Sequence, residues 1–260
     1  MKIASWNVNS LKVRLPQVLD WINLNQPDVL CLQETKQNND NFPHDVFEKR
    51  GLFSYHNGQN TYNGVAIISN KELIDVQFDI PNFHDEQKRL ISGLYPNDVG
   101  PKFRIISAYI PNGQSLNSDK FEYKKNWLKS FISSLQKKID GIENIITGDF
   151  NIAPTKLDCY DSKSWDGKIL VSPQEREYFD KLLNLGFVDT FREMNPNANE
   201  FSWWDYRIPF KRNLGMRIDH ILLSKNLLTF LKKAYIDKTT RALERPSDHV
   251  PVVTELSLNT

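Results

Sequence analysis

The 260-residue sequence has few cysteines, no long apolar run and almost no net charge. Its two cysteines, Cys31 and Cys159, cannot supply a disulfide framework, and they lack the paired spacing of a zinc site. Apolar stretches such as residues 29–32 fall far short of the roughly 18 residues of a membrane-spanning helix, so we expect no membrane span. The N-terminus carries no apolar signal stretch, and we therefore expect a cytoplasmic protein.

Several common catalytic patterns are also missing. None of the 11 glycines forms a Gly-x-Gly, which argues against a dinucleotide-binding loop. The sequence has no Gly-x-x-x-x-Gly-Lys phosphate loop and no Gly-x-Ser-x-Gly nucleophile elbow. The five histidines include no His-x-x-x-His pair, so zinc is not expected. Ser247, Asp248 and His249 are consecutive, and because adjacent side chains diverge they cannot form a catalytic triad.

Charge is unevenly distributed although the net charge is only +1. Between Arg207 and Arg245 the sequence contains 10 basic residues against 3 acidic ones. This excess is compatible with a basic surface that contacts nucleic acid. An ordinary solvated surface is the more common origin of such a run, so the charge pattern does not identify a partner by itself.

Short apolar segments alternate with helical patterns along the whole chain. Helices are predicted for residues 16–24, for residues 118–139, and from Pro173, after an N-cap at Ser172, to a stop at Gly186. Strands are predicted for residues 2–8, 29–32, 63–69, 89–95, 103–110, 144–151, 201–206, 217–224, 230–237 and 250–256. No linker-like stretch interrupts the pattern. We therefore predict one α/β domain over residues 1–260, with two packed mixed sheets and helices outside.

Polar residues follow the predicted strands at five places. They are Asn7 and Asn9; Gln33, Glu34 and Lys36; Asp149 and Asn151; Asp219 and His220; and Asp248 and His249. Taken singly, each is more often a turn former, a helix cap or an ion-pair partner. Together they favour a site, because strand ends meet at one edge of a layered α/β domain. An oxygen-rich pocket of this kind binds hard cations such as Mg²⁺ or Mn²⁺.

At these residues the sequence resembles the exonuclease III family, which comprises AP endonucleases and 3′-exonucleases of base excision repair. Seven segments carry the resemblance, in order and over nearly the whole chain: Trp6-Asn7-Val8-Asn9-Ser10, Leu32-Gln33-Glu34-Thr35-Lys36, Tyr109-Ile110-Pro111-Asn112-Gly113, Gly148-Asp149-Phe150-Asn151, Phe201-Ser202-Trp203-Trp204-Asp205-Tyr206, Arg217-Ile218-Asp219 and Ser247-Asp248-His249. The resemblance implies a four-layer α/β sandwich of the endonuclease/exonuclease/phosphatase (DNase I-like) type. It also implies Mg²⁺-dependent (or Mn²⁺-dependent) cleavage of double-stranded DNA 5′ to abasic sites, at blocked or recessed 3′ ends, or both.

The same resemblance implies roles for single residues. The implied metal ligands, with Glu34 as the principal one, are Asn7, Glu34, Asp149, Asn151, Asp248 and His249. Asp149 matches the residue that orients the attacking water, and Asp219 matches the partner of the phosphate-binding His249. The implied catalytic set is Tyr109, Asp149, Asn151, Asp219 and His249. The implied DNA contacts are Lys36, Arg89, Asn112, Trp203 and Met216.

Departures from the family pattern leave open the balance between cleavage at abasic sites and removal of nucleotides from 3′ ends. Asn9 stands where some relatives carry Asp. Met216 stands where many carry Trp, and methionine is a more flexible side chain for a wedge that inserts into DNA. Residues 152–171 form a segment in which family members diverge. An alternative function is a phosphoesterase of the same superfamily acting on a phospholipid or an inositol phosphate, and another is a catalytically inactive DNA-binding module. We expect a monomer associated with DNA in the bacterial nucleoid.

Overall fold

Two six-stranded sheets form the centre of the protein, in a computed structural model that describes residues 1–97, 100–136 and 141–258. Sheet 1 contains, in spatial order, β13 (Leu231–Ile236), β14 (Val252–Leu256), β1 (Lys2–Asn7), β2 (Val29–Gln33), β4 (Val65–Ser69) and β3 (Phe53–Asn57). Sheet 2 contains β5 (Ile74–Phe78), β6 (Leu90–Tyr95), β7 (Lys102–Tyr109), β8 (Ile142–Asp149), β12 (Asp219–Ser224) and β9 (Phe187–Asp189). A small ribbon pairs β10 (Trp203–Trp204) with β11 (Gly215–Met216).

The described residues contain six α-helices. They are α1 (Leu11–Asn25), α2 (His44–Glu48), α3 (Asp119–Leu135), α4 (Ser162–Trp165), α5 (Pro173–Asn184) and α6 (Thr190–Met194), with 3₁₀ turns at Asn39–Asn41, Lys156–Asp158, Phe210–Arg212, Lys225–Phe230 and Lys238–Ala242. Trp21 of α1 packs on the outer face of sheet 1, whereas Leu128 of α3 and Phe179 of α5 pack on sheet 2. Because strand side chains alternate, Ile3 and Cys31 point instead into the core between the sheets. The predicted α/β sandwich of two mixed sheets flanked by helices is confirmed.

The strand directions bring the ends of several strands to one edge of the sandwich. β1 runs parallel to β2, and β7 runs parallel to β8, so Asn7, Tyr109 and Asp149 all lie at carboxyl ends of strands. β12 is antiparallel to β8, with Asp219 paired directly with Asp149. β14 is antiparallel to β1, which places His249, just before β14, at the same edge. This edge is where a ligand site of a layered α/β fold is expected.

A glycine allows the two parallel strands of sheet 2 to approach closely beside this edge. Gly148 has a φ of +148°, and a Cβ atom built there would lie 1.8 Å from the carbonyl oxygen of Ala108. A larger residue at position 148 would therefore push β7 and β8 apart immediately before Asp149.

The helix boundaries agree only partly with the sequence-based expectations. The first helix was expected to begin at Pro16, but α1 begins at Leu11 and contains Pro16 in its interior. Tertiary contact explains the difference, because Leu11 N donates to the carbonyl of Thr35 and fixes the first turn upstream of the proline. Ser172 caps α5 as predicted, with Glu175 completing the capping box. The predicted end of the long helix at residue 139 lies outside the described residues.

The strand predictions are right in the core and weaker at the edges. The predicted strand at residues 201–206 is wrong beyond the two residues of β10. β3, β5 and β9 were not predicted. β5 is an edge strand that is exposed over most of its length, and β9 has three residues, so neither shows a buried apolar alternation. In the described ranges no helix has the length and apolarity needed to cross a membrane. That residues 1–260 form one domain stays a prediction.

Candidate active site

Acidic and histidine side chains from both sheets converge at the shared edge. Glu34, Asp149 and His249 each offer one ligand atom, and these atoms lie within 4.8 Å of one another. The side-chain amide of Asn7 donates to Glu34 Oε1 and to Asp149 Oδ2, each at 2.9 Å. Asn7 is fully buried, so one amide holds together a carboxylate that follows sheet 1 and a carboxylate of sheet 2.

Glu34 is fixed by an unusual backbone conformation. Its φ is +50°, a region that costs a non-glycine residue about 1 to 3 kcal/mol and that persists only when neighbouring contacts impose it. Two backbone hydrogen bonds hold the following segment, from Thr35 N to Gly64 O and from Lys36 N to Asn63 O. The Tyr109 hydroxyl donates to Glu34 Oε1 at 2.9 Å. The chain therefore turns sharply after β2 and presents the Glu34 carboxylate to sheet 2.

His249 and Asp219 form a buried pair at the opposite side of the cluster. His249 Nδ1 lies 2.8 Å from Asp219 Oδ2 and 3.1 Å from Oδ1. The hydroxyl of Ser202 also donates to Asp219 Oδ2 at 2.6 Å. His249 Nε2 is left 3.7 Å from Asp149 Oδ2. Because Nδ1 donates to the carboxylate, the imidazole is oriented with Nε2 toward the centre of the cluster.

Burial and neighbouring charges shift the titration of these groups in opposite ways. Burial alone would lower the pKa of His249, but the carboxylates of Asp219 and Asp149 outweigh it and raise that pKa. Burial raises the pKa of Asp149, although His249 opposes the shift. Burial, reinforced by Glu34 and Asp149, also raises the pKa of Tyr109 well above its ordinary value. The arrangement therefore favours a charged imidazolium and a protonated phenol that can act as hydrogen-bond donors.

A chain of amides leads from Asp149 to the protein surface. The backbone N–H of Asn151 donates to Asp149 Oδ1 at 2.9 Å, and its side-chain Nδ2 donates to Ile110 O at 3.0 Å. The exposed Asn112 donates from Nδ2 to Asn151 Oδ1 at 2.9 Å. Asn151 also has a positive φ, of +50°. The two predicted asparagines therefore lie together, beside the buried carboxylate.

Asp248, which was also predicted as a metal ligand, lies at the rim of the cluster. Its two carboxylate oxygens accept hydrogen bonds from Asn9 Nδ2 at 2.9 Å and from Trp203 Nε1 at 3.0 Å. Lys36 Nζ lies 3.0 Å from Glu34 Oε2 and donates to Asn9 Oδ1 at 2.5 Å. Lys36 and Asn9 thus connect Glu34 to Asp248, and a metal-binding role for Asp248 stays a prediction.

Two of the predicted DNA contacts are placed differently from the expectation. Met216 has no exposed surface and packs with Ala153, Cys159 and Ile218, so the expected role as a wedge does not fit this arrangement. The physical reason is the β10–β11 pairing, which turns Met216 inward opposite Trp203.

Arg89 is also nearly buried. Its guanidinium lies 4.7 Å from the centre of the Tyr109 ring, and it donates to Gln87 Oε1 and to the Tyr109 carbonyl. It therefore supports Tyr109 directly. Trp203 is half-buried, beside His249, whereas Trp204 is a core residue.

The sequence-based reasoning missed three supporting residues. Ser202 binds Asp219, and Ser247 donates to Asn7 O and accepts from His249 N, but single serines give no signal in a sequence. Lys124 is fully buried in α3 and donates to the carbonyl of Asn151. Its position among the apolar residues of that helix face was the signal that could have identified it.

Comparisons with known proteins agree with this geometry. Residues 4–249 match the Endonuclease/Exonuclease/phosphatase family. The chain is 37% identical to exodeoxyribonuclease III of Haemophilus influenzae, over 98% of this chain and 99% of that protein. Among solved structures, it is similar to the 3′ phosphatase NExo from Neisseria bound to a product DNA hairpin (43% identity, 99% of both chains, TM-score 0.95). It is also similar to an AP endonuclease from Archaeoglobus fulgidus (35% identity, 98% of this chain and 99% of that one, TM-score 0.93). The resemblance stated from the seven sequence segments is confirmed, and the chain belongs to the Endonuclease/Exonuclease/phosphatase family.

Proposed function

We propose that this protein is a metal-dependent DNA-repair nuclease that hydrolyses phosphodiester bonds 5′ to abasic sites, at the 3′ ends of duplex DNA, or both. The observation that carries the proposal is the buried convergence of Glu34, Asp149 and the Asp219–His249 pair at one edge of the sandwich. The relatives support the substrate class, since they are named as an exodeoxyribonuclease, a 3′ phosphatase on DNA and an AP endonuclease.

His249 is suited to stabilise the charge that develops on the phosphate. Its Nδ1 is bound to Asp219 and its pKa is raised by the adjacent carboxylates, so Nε2–H is available as a charged donor. A preorganised donor of this kind acts most strongly where non-bridging oxygens gain negative charge in the transition state. The phenol of Tyr109 provides a second donor from sheet 2.

Asp149 is suited to orient and deprotonate the attacking water. Asn7 Nδ2 and the backbone N–H of Asn151 fix its two carboxylate oxygens, which leaves the carboxylate little freedom to rotate. Because burial raises its pKa, Asp149 accepts a proton more readily than an exposed carboxylate does. The fixed orientation and the raised pKa of Asp149 therefore both favour removal of a proton from the attacking water.

The donor set fits Mg²⁺ or Mn²⁺. Hard cations prefer carboxylate and amide oxygens, and Glu34 and Asp149 present two carboxylates around the amide of Asn7. When bound, the ion would supply positive charge beside the phosphate and the leaving oxygen. We expect Glu34 to hold it, with Asn7, Asp149, Asn151 and Asp248 as further candidates. Asn7 would bind the ion only with its side-chain amide turned over, because Nδ2 faces the two carboxylates and Oδ1 accepts the backbone N–H of Asn9. His249 fits the phosphate-binding role better than that of a ligand, because a raised pKa keeps its imidazole protonated.

DNA would approach across the rim of this edge. Asn112 is exposed, and Lys36 and Trp203 are partly exposed, so these three residues are the DNA contacts that fit the structure best. The basic run between Arg207 and Arg245 is a further candidate for phosphate contacts. We also propose that the protein acts as a monomer, and that it acts in the cytoplasm on nucleoid DNA.

The proposal is tested with three labelled duplexes in Mg²⁺: one with an internal abasic analogue, one with a recessed 3′ end and one with a 3′-phosphate. The native protein should process at least one of them. Asp149→Asn should lower the rate by about 10² to 10⁴-fold. Asp45→Asn, which removes an exposed carboxylate on α2, serves as the matched control and should retain full activity.

Binding of the duplexes, and hydrolysis of a phospholipid and an inositol phosphate offered as further substrates, separate the alternatives. Duplex binding without any cleavage would favour an inactive DNA-binding module. Hydrolysis of a phospholipid or an inositol phosphate, with all three duplexes left intact, would favour the other phosphoesterase function and would overturn the proposal.

A further inference from the structure

A buried ion pair lies directly behind the two active-site asparagines. Lys124 of α3 and Glu175 of α5 have side chains that are 0% and 1% exposed, and Lys124 Nζ lies 2.5 Å from Glu175 Oε1. The same ammonium donates to Asn151 O at 2.8 Å and to Asn112 O at 3.2 Å. All three N–H groups of the lysine are therefore used, and two of them fix the backbone of residues in the candidate site.

Both carboxylate oxygens of Glu175 also accept hydrogen bonds from residues just before α5. Its Oε1 also accepts the backbone N–H of Leu170 at 3.1 Å. Its Oε2 accepts the backbone N–H of Ser172 at 3.1 Å and the hydroxyl of Ser172 at 2.6 Å. The carboxylate is thus fixed at the N-terminus of α5, and it fixes the lysine in turn.

The stability of the folded protein does not by itself explain why this ion pair is buried. Moving two charges out of water carries a large desolvation penalty, and replacing a buried ion pair with well-packed apolar side chains is often neutral or stabilising. Lys124 interrupts a helix face that otherwise buries Phe121, Leu128 and Phe131. An apolar residue at position 124 would satisfy the packing of α3 but would leave two backbone carbonyls without a donor.

The two carbonyls belong to Asn112 and Asn151, whose side chains are joined by a hydrogen bond. Asn112 Nδ2 donates to Asn151 Oδ1 at 2.9 Å, and Asn151 is held at a φ of +50°. The backbone N–H of Asn151 also supports Asp149. A shift of either backbone would therefore move the amide donors together with one contact of the buried carboxylate.

We propose that Lys124, fixed by Glu175, is a positioning residue that sets the orientation of Asn151 and Asn112 in the active site. The proposal rests on the proposed nuclease function. Lys124 does not touch the substrate and acts through the two carbonyls. The loss of its donors should slow the chemical step and leave the affinity for DNA largely unchanged, because misplacement of a positioned group by about 1 Å is sufficient to cost up to a hundredfold in rate.

Two variants that differ only in the lysine donors test the proposal. Glu175→Gln keeps the ammonium and its bonds to the carbonyls, whereas Lys124→Met with Glu175→Gln removes both charges and both bonds. We measure kcat on the duplex that the native protein cleaves best, and Kd for the same duplex by fluorescence anisotropy in EDTA. Both are measured well below the melting temperature of each variant. We expect kcat of the double variant to be lower than that of Glu175→Gln by at least about tenfold, because the two variants differ only at position 124.

The controls separate positioning from general destabilisation. Asp75→Asn breaks a more exposed ion pair, with Arg104, at the β5 edge of sheet 2, and it should change neither kcat nor Kd. If the double variant does not fold, Lys124→Gln with Glu175→Gln replaces it, with at least fivefold loss of kcat expected relative to Glu175→Gln. Native kcat in a folded variant without the lysine, or a loss that matches only the fraction of unfolded protein, would overturn the proposal. A native protein that cleaves no duplex would overturn the nuclease function itself.

Discussion

Asp219 and His249 form a hydrogen-bonded pair that joins the two sheets of the sandwich. Asp219 begins β12 in sheet 2, His249 lies just before β14 in sheet 1, and Nδ1 of the histidine is 2.8 Å from the carboxylate. The pair is almost completely buried. Its geometry therefore depends on the packing of the two sheets, and the position of the imidazole is set by the whole core.

Replacing His249 should remove the charged donor without unfolding the site. We expect His249→Gln to lower kcat by about 10² to 10³-fold, the usual effect of removing one donor from a developing oxyanion. Asp219→Asn should also lower kcat, because the amide cannot favour the imidazolium as a carboxylate does. Steady-state kinetics and DNA affinity in EDTA are the measurements, and near-native kcat in both variants would contradict the assigned role.

Divalent cations should stabilise the native protein as well as support activity. A ligand that binds the folded state raises the free energy of unfolding by RT ln(1 + [L]/Kd), which is about 2.7 kcal/mol at a concentration of 100 Kd. We therefore expect Mg²⁺ or Mn²⁺ to raise the Tm, and EDTA to reverse the increase and abolish cleavage. Glu34→Gln should lose most of the shift, whereas Asp45→Asn should keep it. An equal shift in both variants would place the ion elsewhere.

Acid should destabilise the protein through His220. Burial and the nearby Arg217 lower the pKa of this imidazole to about 4, and Arg217 NH1 lies 3.0 Å from Nδ1 while Nε2 lies 2.9 Å from Ile152 O. An unfolded histidine titrates near 6.5. As the pH falls from about 6.5 to 4, the unfolded state therefore takes up a proton that the folded state excludes. The contribution of neutral His220 to the free energy of unfolding is fully present above pH 6.5. It falls by on the order of 3 kcal/mol as the pH drops from 6.5 to 4.

Denaturant unfolding at several pH values measures this decline. His220→Gln should make the decline shallower between pH 6.5 and 4, and the remaining decline reflects the buried His56, whose pKa is lowered to about 3. His84→Gln, which changes an exposed histidine, should leave the decline unchanged. If the unfolding free energy of His220→Gln has the same pH dependence as that of the native protein, other groups control the stability in acid.

Position 148 should tolerate only glycine. In Gly148→Ala the new Cβ would lie 1.8 Å from a backbone oxygen, and backbone cannot move aside without separating β7 from β8. We expect a loss of more than about 3 kcal/mol in unfolding free energy. Gly167→Ala is the matched control, because its φ is also positive, at +70°, but no atom lies within 4 Å of the new Cβ, so it should lose only about 1 to 2 kcal/mol. Equal losses in the two variants would show that backbone conformation alone accounts for the effect.

Much of the fold and of the site could be predicted from local patterns. Buried strands such as β2 and β8 were recognised because their apolar residues are contiguous, and the start of α5 because Ser172, Pro173 and Glu175 form a local cap. Glu34, Asp149 and His249 were recognised through their segments and lie together as expected. The early start of α1 was not recognised, because a contact with residue 35 decides it.

The sequence by itself determined which polar residues are candidates for the site, since residue type and order are local properties of the chain. Only the tertiary structure decided what surrounds them: Met216 is turned inward, Arg89 supports Tyr109, and Lys124 is buried behind Asn151. The physical reason is that burial and hydrogen bonding depend on which distant segments pack together. A sequence pattern shows that a side chain is apolar or charged, whereas the packed sheets decide which of its neighbours it meets.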